Sequence, residues 1–159
     1  MSKLINEDLI RKFYEYNYII GRIFNPFGSN FTNIFFGEQL PVIEKIRSCK
    51  KYNLKFTINT NAQTPDKSGY RDFIEINDAI SQILYLINLN KKITADICTG
   101  VAISVKSISK KALYHNLKFK KKSVSDLSFS KGNPNKNFKF NKKDITNKIL
   151  IYINTDIWF

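Results

Sequence analysis

Apolar positions along the chain change period several times, and each change marks an element. Leu9, Ile10, Phe13 and Tyr14 share one side of a helix predicted from Glu7 to about Asn17. Asn6 would cap it, with Glu7 and Asp8 in the first turn, where the helix dipole favours carboxylates. Gly21, Asn25-Pro26-Phe27-Gly28 and Ser29-Asn30 predict loop. Phe31–Phe36 reads as a short strand ending at Gly37, and a helix is expected from Glu38 to about Lys51. In that helix Val42, Ile43, Ile46 and Cys49 have helical spacing, while Glu44, Lys45, Arg47 and Lys50 face water. Leu54–Ile58 alternates as a strand, and Pro65-Asp66-Lys67-Ser68-Gly69 is a turn. Phe73–Ile76 predicts a further strand, and Asn77 caps a helix over Asp78–Leu89 built on Ile80, Ile83, Leu84 and Ile87. Val101–Ile108 is the cleanest period-two run in the chain and predicts a strand.

From 31 to 108 the order is strand–helix–strand–strand–helix–strand. That order is the α+β, ferredoxin-like split βαβ pattern, an antiparallel sheet with two helices on one face. The expected organisation is an N-terminal helical extension at 1–30, a ferredoxin-like core at 31–108 and a basic extension at 109–159. Short strand-like pieces are expected in that extension around 112–120, 137–140 and 148–153.

Charge changes the picture at the C-terminal end. Residues 106–159 carry 13 Lys and 3 Asp, a net of +10, against +3 for residues 1–105. A cationic surface of that size selects polyanionic partners, because each lysine placed on a phosphate releases a condensed counterion. Leu117–Lys122 and Asn137–Lys143 alternate cations with aromatics, so Lys118, Lys120, Lys121, Lys122, Lys136, Lys139, Lys142 and Lys143 are candidate nucleic-acid contacts. Phe119, Phe138 and Phe140 fit better as core-facing residues of ordinary strands with lysines on the wet face. The apolar end Ile149–Phe159 is expected to pair as an edge strand or dock on a neighbouring protein, with Trp158 and Phe159 as anchors.

Little else in the chain suggests chemistry. Cys49 and Cys98 stand far apart, and His115 is the single histidine, so they read as thiols and a surface imidazole rather than a zinc set or a nucleophile pair. Acidic residues are scattered singly. Six glycines form neither a P-loop nor a dinucleotide-binding pattern. No cofactor, no metal, no small-molecule substrate and no membrane partner are expected. Heavy use of Ile (23) and Asn (18) points to an AT-rich gene of an organelle, virus or low-GC bacterium.

Phe56–Val105 resembles the small-subunit ribosomal protein ten family. Lys55-Phe56-Thr57-Ile58, Asp66-Lys67-Ser68, Arg71 and Phe73-Ile74-Glu75-Ile76 match its aromatic-Thr strand, its Asp-Lys loop and its aromatic-Glu strand. Asp96–Val105 is similar to its closing strand. The family's Pro-rich segment and loop-tip Pro-His are missing. The resemblance implies a non-catalytic constituent of the small ribosomal subunit, bound to ribosomal RNA and neighbouring ribosomal proteins in a mitochondrial matrix. A bacterial or virus-infected cytoplasm is the alternative setting. It implies phosphate contacts from Lys67 and Arg71, stacking by Tyr70, and an RNA-facing Lys55. The second reading is a viral or phage single-stranded nucleic-acid-binding protein, and a small hydrolase or nuclease is a distant third.

Overall fold

The computed structural model describes residues 2–28, 40–60, 64–121 and 129–155. The strand expected at Phe31–Phe36, and Lys122, Trp158 and Phe159, lie outside the described residues. The elements, in order, are α1 (Ser2–Phe13), β1 (Ile19–Ile23), β2 (Pro26–Phe27), α2 (Val42–Lys51), β3 (Phe56–Thr60), β4 (Tyr70–Asp72), β5 (Ile74–Glu75), α3 (Ile76–Asn88), β6 (Ile93–Ile97), β7 (Ala102–Ser104), α4 (Val105–Leu113), β8 (Leu117–Lys121) and α5 (Lys142–Asn154).

Pairing overturns the ferredoxin-like expectation. β1 runs parallel to β6 with Ile19 opposite Ile93, β2 parallel to β5, and β3 parallel to β8 with Phe56 opposite Leu117. Among the described residues only β4 and β7 pair antiparallel, with Tyr70 opposite Ser104. A split βαβ sheet is antiparallel throughout its four strands, whereas parallel neighbours need long crossovers, which α2, α3 and α4 help to supply here.

Two predicted strands are helices. Val101–Ile108 breaks at Ser104, whose hydroxyl accepts a hydrogen bond from the Ser107 amide (3.0 Å) and caps α4. From there Val105, Ile108 and Ala112 follow helical spacing, and Ile108 is buried. The run at 148–153 belongs to α5, capped by the Asn141 side chain on the Asp144 amide (2.9 Å). Ile145, Ile149 and Ile153 form its buried stripe. The strand-like piece at 137–140 is a turn leading into that cap.

The main core gathers α2, α4 and α5 around Phe27, Phe56, Ile58, Phe73 and Ile103, so residues beyond 108 share a core with those before it. A second cluster packs Ala79 and Leu86 of α3 against Ile97, with Ile19, Ile93 and Ala95 beside them. Lys148 on α5 joins the two, reaching Glu75 (2.7 Å) and Asp78 (2.8 Å) at the start of α3. Buried Arg47 ties α2 to the end of α5, donating to the Thr155 carbonyl (3.0 Å) and lying 4.4 Å from the centre of the Tyr152 ring.

Candidate functional site

Asp72 organises the region where the chain's polar chemistry converges. It has no exposed surface, and its carboxylate accepts from the Thr99 amide (2.9 Å), the Thr99 hydroxyl (2.6 Å), the Gly100 amide (2.9 Å) and the Gly132 amide (3.1 Å). A buried carboxylate is tolerated when it is this fully hydrogen-bonded. Asp72 thereby holds the 99–100 turn and the 130–134 segment against β4. Those two segments touch closely. Gly100 sits at φ +72, and a Cβ there would lie 2.7 Å from Cδ of Pro134.

Along the same strand, β4 is flanked by β7 on one edge and by residues 129–130 on the other. Tyr70 bridges Phe129 in parallel fashion, and the Ser130 amide donates to the Tyr70 carbonyl (3.0 Å). The Tyr70 and Phe129 rings stack at 6.0 Å with 23° between planes. Arg71 is half-buried; its Nη1 donates to the Tyr70 carbonyl (2.9 Å), and a Cβ added at Gly69 would stand 3.3 Å from that nitrogen. Lys131 is exposed on the adjoining segment. Neighbouring strand residues point to opposite faces, so the Arg71 guanidinium lies over Gly69 on one side of β4 and the Tyr70–Phe129 stack on the other.

The 64–69 turn is pinned beside it. Thr64 Oγ1 donates to the Ser68 carbonyl (2.6 Å), and the Ser68 amide (3.0 Å) and hydroxyl (2.8 Å) donate to Asp66. Ser104 also donates to Asp66, while Lys106 Nζ donates to its carbonyl (3.1 Å). Burial works against the Asp66 charge, but the hydrogen bonds from Ser104 and Ser68 and the nearby Lys106 outweigh it and hold the carboxyl below its ordinary value. A carboxylate with a depressed folded-state pKa adds stability that is present above the unfolded value of about 3.9 and is lost as pH falls through the lower folded value. In urea titrations, Asp66→Asn should therefore cost stability at pH 6 and progressively less below about pH 4. An equal cost at pH 6 and pH 3 would show that the charge of Asp66 contributes nothing.

The predicted site residues divide. Tyr70 and Arg71 are brought together with Phe129 and Lys131, which no sequence signal had singled out together. The exposed Lys67, at φ +58, stands at the tip of the pinned turn. Lys55, Lys118, Lys120 and Lys121 lie exposed along the β3–β8 pair, and Lys136, Lys139, Lys142 and Lys143 on the 136–143 stretch and the first turn of α5. Lysines on β8 have a physical reason that needs no polyanion, because charge on an edge strand blocks pairing with other chains. Phe119 is 49% exposed and carries Lys106 over its ring, so it is not the core residue expected. Phe138 is half-buried and packs edge-on to Tyr85, at 5.6 Å. His115 is exposed; Cys98 is a buried thiol pushed up to about 12 by desolvation and by Asp72. No three metal-ligating side chains cluster among the described residues, and no helix among them is long and apolar enough to cross a membrane.

Comparison with solved structures decides the fold. The chain superposes on a UDP-glucose 4-epimerase from Stenotrophomonas maltophila holding NAD and formylated UDP-arabinopyranose (TM-score 0.71, 17% identity, 96% of this chain, 52% of that one). It superposes equally on the Bifidobacterium longum UDP-glucose 4-epimerase with NAD+ and UDP (0.71, 18%, 98% and 53%). A UDP-N-acetylglucosamine 4-epimerase from Methanobrevibacter ruminantium, bound to UDP-N-acetylmuramic acid, gives 0.73 at 16% identity over 98% and 50%. The chain has their Rossmann-like fold. It spans about half the length of the structures that it matches. No protein-family profile matches the sequence, and no curated protein matches it either.

The likeness to the ribosomal protein ten family is thereby overturned, since the chain shares the Rossmann-like fold of these structures, and three of the four strand pairs among the described residues are parallel. With it fall the non-catalytic ribosomal role, the ribosomal RNA and protein partners, the single-strand-binding alternative and the exclusion of a small-molecule substrate. The three structures are of epimerases, all solved with UDP or a UDP-sugar and two of them with NAD.

The residues present do not fit a dinucleotide. Its pyrophosphate needs closely spaced glycines in a strand-to-helix turn. The glycines here, at 21, 28, 37, 69, 100 and 132, are never closer than seven positions. Both β5 into α3 and β7 into α4 pass from strand to helix with no intervening residue.

Proposed function

We propose that this chain is the UDP-sugar-binding half of a sugar-nucleotide-converting enzyme. It holds the nucleotide at the end of β4 and the adjoining 129–131 segment, where Tyr70, Arg71, Phe129 and Lys131 lie. What supports the reading is the superposition over 96–98% of the chain on epimerases solved with UDP or UDP-sugars, together with the Tyr70–Phe129 stack and the neighbouring Arg71 guanidinium. In this role Arg71 pairs with a phosphate through its planar fork, and the Tyr70–Phe129 stack offers an apolar platform to the base. Lys131 adds charge at the rim. Asp72 positions the cluster without touching the ligand, by fixing β4 against Gly100 and Gly132. Redox chemistry on the sugar would be supplied by a dinucleotide bound outside these residues.

Calorimetric titration with UDP and UDP-glucose tests the proposal, with orthophosphate as the control for charge alone. Arg71→Ala should weaken UDP binding by at least about tenfold, since a charge-assisted hydrogen bond contributes roughly 1.5–3 kcal/mol. Arg71→Lys should recover part of the loss, because it keeps the charge but not the fork. Equal affinity for UDP and orthophosphate, or an unchanged Arg71→Ala variant, would overturn the assignment.

A further inference from the structure

Two loops lie side by side where α2 and α4 end and β3 and β8 begin. Tyr52–Lys55 leads from α2 into β3, and Tyr114–Asn116 leads from α4 into β8. The Asn116 side-chain amide donates to Asn53 Oδ1, and the Phe56 amide donates to the Asn116 carbonyl (2.9 Å), which joins the loops into one surface. Three large side chains stand out from it. Tyr52, Leu54 and Tyr114 are 52%, 55% and 76% exposed. Tyr114 is also held at φ +47, a left-handed conformation that bulky residues rarely adopt and that clusters at functional positions.

Lysines surround these three side chains. Lys51 lies in the last turn of α2, Lys110 and Lys111 in the last turn of α4, and Lys55 and Lys118 at the starts of the two strands. All five are exposed. Residues 45–65 and 97–125 contain no carboxylate to offset them. Each lysine has a local use, at a helix C-terminus or on a sheet edge. Neither use accounts for a leucine and two tyrosines left in solvent among them, and exposed apolar groups gathered in one place mark a contact surface.

We propose that these two loops dock the chain on an anionic phospholipid surface. The ammonium groups meet the anionic headgroups, while Tyr52, Leu54 and Tyr114 enter the boundary between headgroups and acyl chains. A nucleic acid could use the lysines and stack on the rings, but it offers nothing to Leu54, which acyl chains take up. The chain lies on the bilayer and does not cross it, in keeping with the absence of a long apolar helix among the described residues. Docking here leaves the candidate nucleotide site open. The Val105 amide, at the start of α4, donates to the Gly69 carbonyl next to Tyr70 (2.9 Å). The loops lie at the other end of that nine-residue helix, roughly 13 Å away. The inference therefore goes beyond the sugar-nucleotide reading and does not depend on it.

Co-sedimentation of the full chain with phosphatidylcholine vesicles, with and without phosphatidylserine, tests the proposal. Binding to the mixed vesicles should be at least about tenfold stronger, since each lysine near an anionic surface contributes about fivefold. Lys51→Gln with Lys111→Gln should weaken it by about tenfold or more and flatten its salt dependence. The control is Lys139→Gln with Lys143→Gln, which removes the same charge at the far end of α5, whose near end meets α2 through Lys50 and Asn154. That control should cost less than about twofold. Leu54→Ser with Tyr114→Gly should weaken binding at least about fivefold with the salt dependence and circular dichroism of the parent, because glycine adopts the left-handed conformation freely. No preference for mixed vesicles, equal losses from the two lysine pairs, or an unchanged Leu54/Tyr114 variant would each overturn the proposal. Displacement from mixed vesicles by an oligonucleotide at equal phosphate concentration would overturn it in favour of nucleic acid.

Discussion

Asp72→Ala should cost at least about 3 kcal/mol of folding stability, read as a shift of the urea midpoint at unchanged slope. The substitution leaves the Thr99 amide and hydroxyl and the Gly100 and Gly132 amides without the acceptor they share. A buried donor left unpaired costs roughly 1–3 kcal/mol, and more where the lost partner carried charge. Partial relaxation and entering water reduce the sum of four such losses. What remains is still a large share of the 5–15 kcal/mol that typically holds a domain together. Asp72→Asn should be milder, since one oxygen can still serve Thr99 while the new amide faces the two glycine donors. A midpoint within experimental error of the parent would mean that water replaces the carboxylate, and Asp72 would lose its organising role.

The second large effect belongs to α5. Ending the chain after Lys148 should abolish cooperative unfolding, because Ile149 and Ile153 are buried at 0% and 4% exposure in the same cluster as Ile43, Ile46 and Ile108. The cut also takes away the Tyr152 ring and the Thr155 carbonyl that contact buried Arg47. Ile149→Ala isolates the packing contribution and should cost about 2–5 kcal/mol. A truncated chain that unfolds with a normal transition would show α5 to be an accessory after all.

How much of this was legible beforehand differs from element to element. α2 and α3 were, as helices, since Val42, Ile43, Ile46 and Cys49, and Ile80, Ile83, Leu84 and Ile87, repeat at helical spacing that no strand could use. The buried side of α3 was not: Ile80, Leu84 and Ile87 are 45%, 55% and 53% exposed, and Ala79, Gln82 and Leu86 face the interior instead. α4 and α5 were not. Val101-Ala-Ile-Ser-Val alternates perfectly up to Ser104, and β-branched residues fill Ile149–Ile153, so both segments satisfy the strand pattern locally. The deciding facts were the caps, Ser104 on Ser107 and Asn141 on Asp144. A serine or asparagine has equally good uses in turns, so neither cap announces itself. Strand direction was invisible as well. β3 and β8 are nearly sixty residues apart, and nothing in either says that they run parallel.

The candidate site was legible only in part. Tyr70 and Arg71 stood out through the ribosomal resemblance, which implied stacking and phosphate contact for them. A ring and a cation suit ribonucleic acid and a nucleotide sugar alike, so the residues by themselves do not choose the ligand class. Phe129 and Lys131 join them only through the bridge to Tyr70 and the Gly132 contact to Asp72, which are tertiary facts. The lysines of β8 are ambiguous for a related reason. Charge that guards a sheet edge and charge that seeks phosphate have the same composition.

Long-range pairing also governs when this protein can become itself during synthesis. β1 waits for β6, β3 waits for β8, and the principal core waits for α5. Closing such wide loops precedes most of the energetic return, which slows folding. A nascent chain that has not yet exposed α5 therefore emerges as helices without a shared interior, showing apolar side chains that chaperones recognise. Folding of these residues is held back until α5 is available, and that helix acts as the closing piece of their core.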